Sequence, residues 1–114
     1  MKTSSNGVKN INVLICQGDL NAASMIRLKN RLARLLQQKR RRLILDLAKA
    51  KHVDCSGLGI LMERIQKIRA MHGDLRLINL QPRVSETFDQ MGLNRLIESF
   101  GSKADAVRSF QVAA

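Results

Sequence analysis

The sequence predicts an α/β fold: one domain built on a mixed sheet of four to five strands, with helices mainly on one face. Three observations lead there. Short aliphatic runs alternate along the chain with longer stretches whose apolar residues recur at helical spacing. Gly, Asn and Pro stand at the joins. At 114 residues and 45% hydrophobic content, the chain is long enough for one core and too short for two. The strand-helix order calls for right-handed crossovers. If sequential strands are also neighbours, every helix lands on the same side, and a half-polar second face carrying Asp46 and Arg76 fits such one-sided cover.

Residues 1–10 are polar and contain Gly7, so they read as a flexible lead-in or a short edge strand, one that could start at Val8–Asn10; the domain proper is 11–114. Ile11–Gln17 is rich in β-branched residues and too short for a helix, hence a strand. Gly18-Asp19-Leu20-Asn21 breaks it, and Asp19 or Asn21 could cap the next helix. From Ala22 to about Gln38, Met25, Leu28, Leu32, Leu35 and Leu36 form one helix face that runs into Lys39-Arg40-Arg41-Arg42, where cations complement the helix dipole.

Leu43–Leu47 is a second strand, and Ala48–His52 a connecting loop. A second helix, Gly57 to about His72, turns Leu58, Leu61, Met62, Ile65 and Ile68 inward and stops at Gly73, while Ile60 and Met71 lie off that stripe. Leu75–Leu80 repeats the strand pattern. Pro82 suits the first turn of a third helix reaching Met91, with Val84, Phe88 and Met91 inward, and Gly92 ends it. Leu93–Ser99 reads as a turn and a short last strand. Ser102–Phe110 reads as a terminal helix burying Ala106, Val107 and Phe110.

The stretch that carries chemistry is Val53-Asp54-Cys55-Ser56-Gly57-Leu58-Gly59-Ile60. A small polar turn opens directly into an apolar-periodic helix, which places the Ser56 hydroxyl where a helix leaves its first N–H groups unsatisfied. Such a position is an N-cap and equally a place for a phosphate, received by the amides of Leu58, Gly59 and Ile60. Asp54 could steer the turn through its backbone, hold a metal or orient Ser56. Gly57 and Gly59 serve either close packing or a partner's approach to the hydroxyl.

The remaining chemistry-bearing residues exclude more than they support. Cys16 and Cys55 have no C-x-x-C spacing, and His52 and His72 are far apart, so no cofactor, metal site or disulfide framework is expected. Ser56 has no histidine base in its motif, and no phosphate loop or paired carboxylates appear, so an enzyme is not expected. No apolar run approaches a membrane span, and the first residues lack the centre of a signal peptide, which predicts a cytoplasmic protein. The outlier is the net charge of +11, which can attract an acidic partner, nucleic acid or an anionic membrane.

Taken together, Gly18-Asp19-Leu20, Leu43–Leu47, the Asp54-Cys55-Ser56-Gly57-Leu58-Gly59 turn, Leu75–Asn79, Pro82-Arg83-Val84 and Met91-Gly92-Leu93 resemble the STAS family, the domain of bacterial anti-sigma factor antagonists. The resemblance implies a STAS-like single domain acting as a non-enzymatic protein-binding switch. The unphosphorylated form binds an ATP-using serine kinase that doubles as an anti-sigma factor. Phosphorylation of the serine matching Ser56 releases it, and a phosphatase reverses the change. Partner contacts are then expected at Asp19, Asn21 and Asp54 to Ile60: Asp54, Cys55, Ser56, Gly57, Leu58, Gly59 and Ile60. Cys55 stands where the family often has a second serine, leaving Ser56 the one hydroxyl of the turn, and Asn21 stands where an acid is frequent.

Two other readings compete. The domain could be a scaffold subunit of a signalling or lipid-transport complex. Alternatively, the basic surface around Arg31, Arg34 and Lys39–Arg42 could bind nucleic acid or anionic lipid, although only Phe88, Phe100 and Phe110 are available for base stacking.

Overall fold

Each aliphatic run becomes a strand, and each helical stripe packs against the sheet. The computed structural model describes residues 2–5 and 11–112. In chain order these form β1 (Lys2–Ser5), β2 (Ile11–Ile15), α1 (Ala22–Gln37), β3 (Arg42–Asp46), α2 (Cys55–Ala70), β4 (Asp74–Ile78), α3 (Pro82–Gln90), a 3₁₀ turn (Leu93–Arg95), β5 (Ser99–Phe100) and α4 (Lys103–Val112). The sheet order is β1-β2-β3-β4-β5. β1 is antiparallel to β2 and every other pairing is parallel, so the sheet is mixed as expected.

The edge strand comes earlier than Val8–Asn10, which lie outside the described residues. Lys-Thr-Ser-Ser carries no apolar alternation, and its order comes from backbone pairing with β2, Lys2 opposite Ile15 and Ser5 opposite Asn12.

Period-two alternation sorts the central strands onto two faces. Leu14, Leu43, Leu45, Leu75 and Leu77 join the stripes of α1, α2 and α3 in the main core. Ile11, Val13, Ile44 and Ile78 point the other way, where they meet Ala106 and Phe110 of α4. Three helices therefore cover one face and the fourth crosses to the other, correcting the expectation that all helices share a side. β5 brings the chain to the sheet edge, and α4 starts after only two intervening residues, turning under β3, β4 and β5. The half-polar face is not open: Arg76 lies buried beneath α4. Met91 also departs from expectation. It is the C-cap of α3, past the last turn, and 44% exposed.

Both long helices end in Schellman turns. At α1 the Arg40 amide donates to the Leu35 carbonyl and Lys39 to Leu36; at α2 Gly73 donates to Ile68 and His72 to Arg69. The left-handed residues are Lys39 (φ 62°) and His72 (φ 65°), not Gly73. Gly73 is needed for space instead: a Cβ there would stand 2.6 Å from the Arg41 carbonyl oxygen.

Candidate functional site

The site forms where the parallel strands β2 and β3 end and the chain turns into α1 and α2. Those two turns are tied together. Leu20 and Val53 make a parallel bridge, with the Leu20 amide donating to the His52 carbonyl at 2.9 Å and the Asp54 amide to the Leu20 carbonyl at 3.0 Å. The Asp19 carboxylate accepts from the Lys51 and His52 amides at 3.0 and 3.1 Å. These bonds, the Lys51 amide first, hold the Asp19 carboxyl below its ordinary value of 3.8. The turn before α2 is thus anchored to the turn before α1 at both flanks.

The cap of α2 differs from the expectation by two residues. Asp54, in extended backbone geometry, is the N-cap, and its Oδ1 accepts the Gly57 amide at 2.8 Å. Ser56 lies inside the first turn, exposed, and its hydroxyl donates to the same Asp54 oxygen at 2.9 Å. Asp and Ser are both good caps, and the pattern D-C-S-G places both within reach of the boundary. The amides expected to receive a phosphate change as well. Leu58 already donates to the Asp54 carbonyl at 3.1 Å, and Gly59 and Ile60 lie deeper in the helix, so the first-turn amides left by the cap are those of Cys55 and Ser56.

The structure brings the expected contact residues to one pole but not all to the surface. Asp19, Asn21, Asp54, Cys55, Ser56 and Gly59 are exposed or partly so, and Ile60 is half-buried against the core. Leu58 is a core side chain at 1% exposure, as its place on the inward stripe predicts, and Gly57 is buried beside it. A Cβ on Gly57 would stand 2.9 Å from the Leu20 carbonyl oxygen, whereas one on Gly59 would meet nothing within 4 Å. Spacing alone leaves packing and partner access open for both glycines. Packing accounts for Gly57, and Gly59 faces open space.

Asn21 caps α1 in a full capping box: its Oδ1 accepts the Ser24 amide at 3.0 Å, and Ser24 Oγ accepts the Asn21 amide at 3.1 Å. With Cys16, Asp19 and Arg27 it lines a cleft of about 170 Å³. Sequence reasoning missed two features of this pole. Ser24 is buried at its base and donates to the Asp19 carbonyl at 2.8 Å. Ile26, one turn into α1, is 51% exposed; its place off the Met25-Leu28-Leu32 stripe is the signal that could have found it.

The cysteines have separate environments. Cys16 is buried with its thiol donating to the Gly18 carbonyl at 3.1 Å, and Cys55 is an exposed free thiol in the first turn of α2. No helix among the described residues is long and apolar enough to cross a membrane.

Compared with known proteins, residues 3–106 match the family model described as STAS domain. The chain belongs to the STAS family. Among STAS relatives, the chain is 26% identical over 113 residues to BtrV of Bordetella bronchiseptica, which is named as a candidate anti-sigma factor antagonist; the match covers 99% of this chain and 97% of BtrV. The fold resembles the Bacillus cell fate determinant SpoIIAA in its phosphorylated form, with TM-score 0.71 and 17% identity over 96% of this chain and 97% of that one. It also resembles a sulfate transporter family protein from Wolinella succinogenes, with TM-score 0.82 and 16% identity over 92% and 88% of the respective chains.

Proposed function

We propose that this STAS protein is a non-enzymatic anti-sigma factor antagonist of the bacterial cytoplasm, switched by phosphorylation of Ser56. The observation that carries the reading is the Ser56 hydroxyl, exposed on the first turn of α2 and hydrogen-bonded at 2.9 Å to the Asp54 carboxylate. In its unphosphorylated state the domain binds an ATP-using serine kinase that is also an anti-sigma factor. Contact is made through Asp19, Asn21, Asp54, Cys55, Ser56, Gly59 and Ile60, with Ile26 extending the surface along α1. The names of curated relatives such as BtrV, together with the D-x-S-G-L-G turn, support this partner class.

The proposed chemistry is phosphoryl transfer to Ser56. Ser56 Oγ attacks the γ-phosphorus of the kinase-bound ATP; the Oγ–P bond forms as the bond to the β-phosphate oxygen breaks, and ADP leaves. The hydroxyl proton passes to a base, and Asp54, already its acceptor, orients it. The product places about −1.5 to −2 charges beside the Asp54 carboxylate. Burying that group against a partner lacking a matching cation costs several kcal/mol, and each ~1.4 kcal/mol lowers affinity tenfold. The domain itself tolerates the phosphate, because a helix N-terminus favours anions. A phosphatase restores the binding form.

Incubation with the cognate kinase and ATP should add one phosphate to the wild type and none to Ser56→Ala. Equal labelling of the two would move the site elsewhere. In a pull-down the kinase should be retained by wild type and lost with Ser56→Asp.

A further inference from the structure

At the opposite end of the parallel strands, where β3 and β4 begin, a hollow of about 190 Å³ is lined by Arg41, Arg42, His72, Asp74, Arg76 and Phe110. Arg76 is its unusual member. Its side chain is 9% exposed, its guanidinium sits 3.8 Å from the Phe110 ring centroid, and its Nε is buried without a partner. Among the described residues the Arg76 guanidinium makes no hydrogen bond. Among the described residues the carboxylate paired with it is that of Asp74, whose Oδ2 stands at 3.9 Å, outside hydrogen-bond reach. Asp74 is engaged elsewhere, with Oδ1 3.2 Å from Arg69 Nε and accepting the Leu75 amide at 2.9 Å. Among the described residues of the hollow, three arginines therefore face one carboxylate that is already shared with Arg69. A guanidinium whose Nε is buried without a partner and whose one ion pair is long is incompletely satisfied, and an anion in the hollow would complete it.

We propose that this hollow is a binding site for a phosphate-class dianion, a phosphomonoester held by Arg76 from within and by Arg41 and Arg42 at the rim. The planar guanidinium matches two phosphate oxygens at once, which an ammonium does not. Stacking on Phe110 fixes the plane of Arg76, so little side-chain freedom is lost on binding. A site this size takes the phosphate and its first attached atoms, leaving the remainder of the molecule outside. It also gives a purpose to part of the +11 charge that the Ser56 turn leaves unexplained.

Inorganic phosphate, titrated at constant ionic strength, is the probe. The amide resonances of Gly73, Asp74 and Arg76 should shift saturably, and those of Asp54 to Gly59 should stay in place. In Arg76→Met the ligand-free melting temperature should hold or rise, since a buried charge whose one ion pair, to Asp74, is long is replaced by an apolar chain, while phosphate affinity falls at least tenfold. Arg42→Gln, at the rim, should weaken phosphate severalfold and provides a second reading should the first variant fold poorly. Ser56→Ala should respond as wild type, so the outcome is independent of the phosphorylation switch. Two further arms separate the sources of the ester. Tighter binding of adenosine monophosphate than of phosphate marks a soluble ester, and Arg76-dependent retention on vesicles containing phosphatidic acid marks a lipid headgroup. The absence of saturable shifts at Gly73 to Arg76, or a phosphate response in Arg76→Met equal to that of wild type, overturns the proposal.

Discussion

Two serines sit in the first turns of two neighbouring helices at the same pole, and the fold treats them oppositely. Ser24 in α1 is 5% exposed; its hydroxyl donates to the Asp19 carbonyl and accepts the Asn21 amide, completing a reciprocal cap. Ser56 in α2 is exposed, and its hydroxyl donates to Asp54, while the cap proper is made by Asp54 alone. The first hydroxyl is part of the scaffold. The second can be removed or modified without taking away a partner that any buried group depends on. Hydroxyl-bearing first turns thus divide by burial, and accessibility goes with structural dispensability.

The largest effect that tests this division is on labelling: Ser56→Ala should abolish phosphate incorporation by the cognate kinase, with folding free energy within about 0.5 kcal/mol of wild type in urea melts. A loss of stability near that expected for Ser24 would end the contrast. Ser24→Ala should cost about 1–3 kcal/mol, because it strands the Asn21 amide and the Asp19 carbonyl, and leave Ser56 labelling intact in the folded fraction. The two glycines of α2 sharpen the same point. Gly57→Ala should cost about 1–3 kcal/mol through the clash with Leu20, whereas Gly59→Ala should be neutral or stabilise by up to about 1 kcal/mol. If a partner's backbone crosses the first turn, Gly59→Ala will weaken kinase binding in a melt-neutral way.

Smallest is a pH effect. The Asp19 carboxyl is depressed by the Lys51 and His52 amides, so its contribution is complete above the ordinary value of 3.8 and is lost as pH falls through the lower folded value. The measurable sign is that acid unfolding of Asp19→Asn should show a shallower pH dependence in that window than wild type.

Much of this arrangement is legible in the residues. Most of the apolar stripes of α1 and α2 can be read, because a long amphipathic helix repeats the same face over several turns, although buried Ser24 and the core contacts of Ile60 and Met71 lie outside those stripes. The Ser56 turn is marked by its small polar residues ahead of an apolar run. The features that stay hidden are those decided by distant partners. Ala106 and Phe110 announce a buried helix face but carry no information on which side of the sheet receives it, and so the pattern alone puts Arg76 on a solvated face. The cap of α2 is ambiguous in sequence because Asp54 and Ser56 have equal chemical claims, and only the anchoring of the Asp54 amide to Leu20 decides between them. β1 leaves no apolar pattern because its pairing resides in backbone groups that every residue shares.

The bridge between Leu20 and Val53 has a consequence for time. Backbone hydrogen bonds on both sides of Val53 tie the chain just ahead of Ser56 to the turn before α1, so a phosphate added at Ser56 would be read where it sits, as charge on a braced helix start. On the proposed reading, switching then needs no slow refolding of the domain, and its pace would be set by how quickly a kinase and a phosphatase arrive and turn over.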